Sequence, residues 1–209
     1  MLTRPELKNQ SLAMLRGKWT QPVVAALIVT LVSAFTQGGS QTQSATFITL
    51  GFLVMLLVAM NLQYGFSVGM LRFHRGRENT VNEMFSAAFK EDYGRVLGLM
   101  LLGALFILLW CLLLIIPGII KAYAYIMAPY IAEDNPELDP IDCLRRSEVL
   151  MYGHKMDLFI LHLSFIGWIL LGIITLGIGL LWVTPWIEMA QVKFYEELKA
   201  EAGNNPIEG

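Results

Sequence analysis

Few residues in this 209-residue chain combine a type and a spacing suited to chemistry. The stretch GFSVG (Gly65 to Gly69) matches G-x-S-x-G, where a serine rides a strained strand-to-helix turn beside a general base. No strand pattern surrounds it. Gly65 and Gly69 also form a G-x-x-x-G face that lets two helices approach closely, and the apolar context favours that packing role. His74, His154 and His162 lack the spacing of a helical zinc pair. His74 and His154 flank basic residues. His162 lies in an apolar run, where an interhelical hydrogen bond and a functional role both stay open. The acidic stretch Glu133 to Asp142 lacks the glycine and closing glutamate of a calcium loop, so a solvated turn leading into a helix cap is expected. Neither a metal nor a cofactor is expected.

Glu188 is the strongest candidate. It falls about ten residues beyond the flexible stretch Thr175 to Gly179, on the order of 15 Å along a helix. A carboxylate buried that far inside an apolar run must be paired, protonated or turned toward a polar cavity. Asn61 and Gln63 lie at a comparable depth, and Gln191 follows Glu188 on the same helix face. A polar cluster of Asn61, Gln63, His162, Glu188 and Gln191 opening to the cytoplasm is expected. The alternative is that Glu188 faces water at the inner end of a short, tilted helix. Pro129 and Pro185 each remove a backbone donor and predict helix kinks. Such kinks either line a binding site or are absorbed by neighbouring helices.

The elements that position these residues are membrane helices. Hydrophobic residues make up 56% of the chain and charged residues 15%, against about 25% charged in an ordinary soluble domain. Gln21 to Phe35, Phe47 to Leu71, Val96 to Ala132 and Leu158 to Ile187 are nearly free of charge. Lys and Arg mark the cytoplasmic side of short loops, which places the N-terminus inside and the uncharged loop Gln37 to Thr46 outside. If Val96 to Ala132 and Leu158 to Ile187 each cross twice, every Lys and Arg except Lys121 is cytoplasmic, and single crossings break the rule. The fold class predicted is therefore all-α: a polytopic membrane protein with six transmembrane helices in three hairpins and cytoplasmic termini. Pro117 and Gly118 form the outer turn of the middle hairpin, with Lys121 the one cation at that face. The limb Ile119 to Ala132 is about 21 Å long, short of the roughly 30 Å hydrocarbon core.

A short amphipathic helix precedes each hairpin, starting near Thr3-Arg4-Pro5-Glu6, Thr80-Val81-Asn82-Glu83 and Asp139-Pro140-Ile141-Asp142. Each start pairs a capping side chain with an acid three residues later. Each helix ends near a glycine and a cation. This predicts one membrane domain over 1–198, built of repeats at about 3–71, 80–132 and 139–198, and a flexible cytoplasmic tail over 199–209. Arg16, Lys18, Arg72, Arg75, Arg77, Arg95, His154 and Lys155 are placed to meet anionic headgroups. The N-terminal segment does not read as a cleaved signal peptide. Cys111 and Cys143, in an apolar run and a polar helix, do not suggest a disulfide. The net charge of −2 and the lack of a basic stripe exclude a nucleic-acid partner.

The stretches LLWCLLLIIPGIIKAYAYIMAPYIAEDNPEL and LRRSEVLMYGHKMDLFILHLSFIGWILLGIITLGIGLLWVTPW, with the FYEEL ending, resemble the bacterial integral membrane proteins grouped as domain of unknown function 975. The resemblance runs from LRGKW to FYEEL. It implies a bacterial cytoplasmic (inner) membrane location and brings no activity, cofactor or catalytic residue with it. The hairpin plan looks more loosely like the membrane domain attached to glycerophosphodiester phosphodiesterases, without their hydrolase domain. The function expected is non-enzymatic: envelope organisation, lipid handling or protein interaction, with membrane lipids and a membrane-protein partner as binding partners. The alternative is a small-solute or lipid carrier or channel built on the Glu188 cluster. The oligomeric state stays open.

Overall fold

The computed structural model describes residues 3–35, 45–77, 80–89, 93–175 and 177–204, and among them helices and turns account for the chain, with no strand. Most of the loop at Gln37 to Thr46, Lys90, Leu176 of the Thr175 to Gly179 turn and the end of the expected tail lie outside the described residues. The helices are α1 (Arg4–Leu15), α2 (Thr20–Phe35), α3 (Ala45–His74), α4 (Thr80–Phe89), α5 (Tyr93–Leu113), α6 (Ile115–Tyr125), α7 (Ala128–Asp134), α8 (Pro140–Leu150), α9 (Lys155–Leu163), α10 (Ile166–Ile174) and α11 (Leu180–Asn204).

Three stretches among the described residues are long and apolar enough to cross a membrane: Tyr93–Leu112, Ile115–Asp134 and Lys155–Ile174, each of 20 residues. At 1.5 Å per residue each reaches about 30 Å, the thickness of a bilayer core. The limb after the Pro-Gly is thus longer than the 14-residue estimate, because its helical course starts at Ile115 and α7 carries it on to Asp134.

The chain reverses at Leu114, whose extended backbone separates α5 from α6. Pro117 and Gly118 lie inside the first turns of α6, not at the tip where the sequence places them. Pro117 is tolerated there because the first N–H groups of a helix have no intrahelical partner. Gly118 is buried, and a Cβ on it would collide with Cys111 of α5. The glycine therefore serves the close approach of two antiparallel limbs, a packing role instead of a turn role.

The same logic holds α4 on α3. A Cβ at Gly65 would collide with the Met84 carbonyl and lie 2.8 Å from Ala88 Cβ; one at Gly69 would lie 3.2 Å from Thr80 O. Residues 80 to 88 thus lie antiparallel along α3. In GFSVG the two glycines face α4, and Ser67 sits in a helix, outside the strand-to-helix turn that a nucleophile needs.

The other short helices also lie along long ones. Trp186 Nε1–H of α11 donates to Lys8 O of α1 at 3.1 Å, and Lys8 Nζ donates to Ser164 O, between α9 and α10, at 3.0 Å. Pro140 and Leu144 of α8 pack against Gly98 and Gly103 of α5, each 3.5 Å from where a Cβ on its glycine would lie. The expected capping pattern is present once in full, where Thr3 N–H donates to Glu6 Oε2 at 2.7 Å. Glu83 turns to Arg72 and Arg77, and Asp139 makes no side-chain cap bond. Glycine ends two of these helices as the sequence suggests, with Gly17 at φ 81° and Gly153 at φ 83°, a region other residues avoid. Gly94 instead lies inside α5. Residues 199–204, expected in the flexible tail, continue α11, anchored by buried Leu198 and by Lys199 Nζ 2.6 Å from Asp134 Oδ2.

Gly65→Leu is expected to lower stability by about 1–3 kcal/mol through overpacking against α4. Gly94→Ala, where nothing lies within 4 Å of the added Cβ, should be neutral or mildly stabilising. Unfolding midpoints of the purified variants in mild detergent check both.

Candidate functional site

A cavity of about 460 Å³ opens between α3, α5, the α6–α7 limb, α8 and α11. Its size falls within the range of small-molecule sites. Its walls are largely apolar, with Leu99, Met100, Ala104 and Ile107 from α5 and Ala122 and Ile126 from α6 and the residue after it. Gln63 and Ser67 of α3 and Glu188 and Gln191 of α11 are polar residues on it, and Tyr125 of α6 adds a phenol.

Helical spacing brings these together. Gln63 and Ser67 are four residues apart, and Glu188 and Gln191 three apart, so each pair shares a face. Tyr130 of α7, fully buried, completes the arrangement. Its O–H donates to Glu188 Oε1 at 2.8 Å, and Gln191 Nε2–H donates to Tyr130 Oη at 3.0 Å. Ser67 lies on the same wall beside them. Glu188 is 8% exposed, and among the described residues no cation pairs with it. A buried carboxylate held by neutral donors keeps acceptor capacity facing the cavity.

Gln63, Glu188 and Gln191 of the expected cluster therefore line one cavity. His162 adjoins Gln191 and has Nδ1 3.3 Å from Tyr123 Oη, but it is not part of the wall. Asn61 is separate. Fully buried, it donates from Nδ2 to Leu57 O at 2.9 Å on another face of α3, and its Oδ1 lacks a partner. Tyr130 and Ser67 escape sequence reasoning for different reasons. The glycine motif around Ser67 points to packing alone, and a tyrosine beside Pro129 carries no signal of its partner on α11.

The backbone break between α6 and α7 lies beside the cavity. Pro129 at the start of α7 cannot donate, and the break at Ile126–Met127 leaves buried main-chain groups without helical partners. Ser147 of α8 takes both sides: Met127 N–H donates to Ser147 Oγ at 3.2 Å, and Ser147 O–H donates to Ala124 O at 2.7 Å. Pro185, by contrast, lies inside α11 without ending it.

The cations mostly have protein partners. Arg72, with 10% of its side chain exposed, donates to both Glu133 oxygens, at 2.7 and 3.0 Å, and to Glu83 at 2.9 Å. Arg75 joins Asp134 and Glu196, and its bonds to Asp134 hold the guanidinium above its ordinary pKa. Arg77 pairs with Glu83 at 3.3 Å. Arg95 donates to Leu138 O, Ala132 O and Asn135 O, closing the C-terminal end of α7. These four were expected at headgroups; in the structure each also meets acids or open carbonyls within the protein, and Arg77 keeps most of its side chain exposed. Arg16 and Lys18 are exposed, Lys155 is half-buried, and His154 lies 3.8 Å from Asp157. Lys121, expected alone at the outer face, pairs with Glu148 and lies 5.4 Å from the Trp110 ring. The reason is α8, which runs back along the α6–α7 limb and brings Glu148 level with the second turn of α6. Among the described residues no group of His, Cys, Asp and Glu could hold a metal ion.

A family model described as "Protein of unknown function (DUF975)" matches residues 1–122 and 111–202. No curated protein and no solved structure matches the chain. Nothing in these comparisons bears on the looser likeness to the glycerophosphodiesterase membrane domain.

Tyr130→Phe removes the donor to Glu188 and should cost about 1–3 kcal/mol, the penalty of an unmet buried acceptor. Arg72→Met leaves Glu83 and Glu133 facing each other and should cost about 3–5 kcal/mol. Restoring charge balance with Glu133→Gln in the Arg72→Met background should recover part of the loss, as measured by unfolding midpoints.

Proposed function

Because the chain belongs to the DUF975 family, whose description names no activity, we propose its function from the cavity itself: a non-enzymatic membrane protein that binds a single amphiphile. The polar end formed by Gln63, Ser67, Glu188 and Gln191 takes the head, and the apolar wall of α5 and α6 takes the tail. The observation that carries this reading is a partly open, largely apolar cavity with amide, hydroxyl and carboxyl groups from α3 and α11 gathered on it. Lipid handling is thus favoured over envelope scaffolding and protein interaction.

The protein sits in the bacterial cytoplasmic membrane with six spans in three hairpins and both termini inside. Three apolar stretches of 20 residues, the reversal at Leu114 and the distribution of Lys and Arg support this topology. Exposed Arg16 and Lys18 face anionic headgroups on the cytoplasmic side.

One feature favours a second reading, carriage of the amphiphile or of a small solute across the bilayer. The broken α6–α7 limb lines the cavity, and discontinuous helices of this kind build the sites of many transporters.

Lipids retained after gentle purification, measured by mass spectrometry, test the binding role. Wild type should keep a defined lipid, and Ala104→Trp, which places a large ring on the cavity wall, should lose it. Equal retention by both would remove the cavity as the site. In a background with Cys111→Ala and Cys143→Ala, the thiol of Leu114→Cys should label from outside and that of Asp139→Cys only from inside. Labelling of Gln63→Cys from both sides favours carriage, and labelling from one side removes it.

A further inference from the structure

The ligand's head can be specified further, on the premise that the cavity takes an amphiphile. Glu188 departs from the way this protein treats its other sheltered acids. Glu83 and Glu133 are shared with Arg72, Asp134 with Arg75 and Lys199, and Glu148 with Lys121. Those acid side chains range from 9% to 39% exposed, and each has a cation within 3.0 Å. Glu188, 8% exposed, takes a neutral donor from Tyr130 and, among the described residues, pairs with no cation.

Among the described residues, the cavity wall contains no Lys, Arg or His to balance it. Lys121, one turn before Tyr125 on the wall, is committed to Glu148. Gln63 and Gln191 stand at the same end and carry no charge. An anionic head would meet this carboxylate with no cation to offset the repulsion, whereas an ammonium would complete the pairing made elsewhere within the chain. We propose that Glu188 is the binding site for the cationic head of an amine-bearing amphiphile, whose chain lies along α5.

Three probes of equal chain length separate head chemistry from tail binding: dodecylamine, dodecan-1-ol and dodecanoate. Their affinities for the purified full chain, in a neutral maltoside detergent at pH 7, are read by native mass spectrometry. The expected order places dodecylamine at least about tenfold tighter than the other two, a difference of about 1.4 kcal/mol. Glu188→Gln should remove that advantage, bringing dodecylamine to the affinity the same variant shows for dodecan-1-ol. Ala104→Trp should weaken all three.

If wild type binds dodecylamine no tighter than dodecan-1-ol, the cation inference is overturned, whatever the variants do. If that equality holds while Ala104→Trp still weakens every probe, the amphiphile cavity stands without it. If Ala104→Trp weakens none of them, the cavity reading itself fails.

Discussion

The arrangement rests on one sheltered charge. Arg72 ends the long helix α3 with a side chain almost out of water, a position that is costly unless its donors are met. Glu133 meets two of them and Glu83 a third. That requirement sets α7 and α4 against α3 in one register. One turn before Glu133 on α7 is Tyr130, which places its hydroxyl on Glu188. Asp134, the next residue, gathers Arg75, Tyr195 and Lys199 and so draws α11 to the same end. Glu188 and Gln191 sit one to two turns along α11 from that junction. The cavity's polar groups are held in place by an ion-pair layer they do not belong to.

The second constraint is backbone hydrogen bonding. A break such as Ile126–Met127 is tolerated in an apolar setting only when its freed groups are met. Ser147 does this with one hydroxyl, used as both acceptor and donor. The α6–α7 limb can then bend away from a straight helix and leave room beside α5. A continuous helix packed on Gly103 and Ala104 would have less reason to leave that space.

Several parts are legible in the sequence because they depend on local pattern. Helix positions follow the runs of apolar residues, and Gly65 and Gly69 read as a packing face, which α4 occupies. Depth and helical spacing point to Gln63, Glu188 and Gln191, and they meet at one cavity. What the sequence hides depends on long-range partners. Lys121 and Arg72 look like free cations until Glu148 and Glu133 fold onto them, 27 and 61 residues away in sequence. Asn61 shares Gln63's depth but not its face, since two residues on a helix turn the side chain by about 200°. The reversal falls at Leu114 and not at the Pro-Gly, a pair that usually marks a turn, because here the glycine is needed for contact with Cys111.

Arg72 also has a history written into the order of its partners. Glu83 follows it by 11 residues and Glu133 by 61. At about 5–20 residues per second of synthesis, the nearer acid emerges within about 2 s and the farther one after roughly 3–12 s. The guanidinium therefore has a carboxylate at hand from the time α4 leaves the ribosome, well before α7 exists. Glu83 comes first in the order of synthesis, and Glu133 joins it to complete the two-acid arrangement of the finished protein.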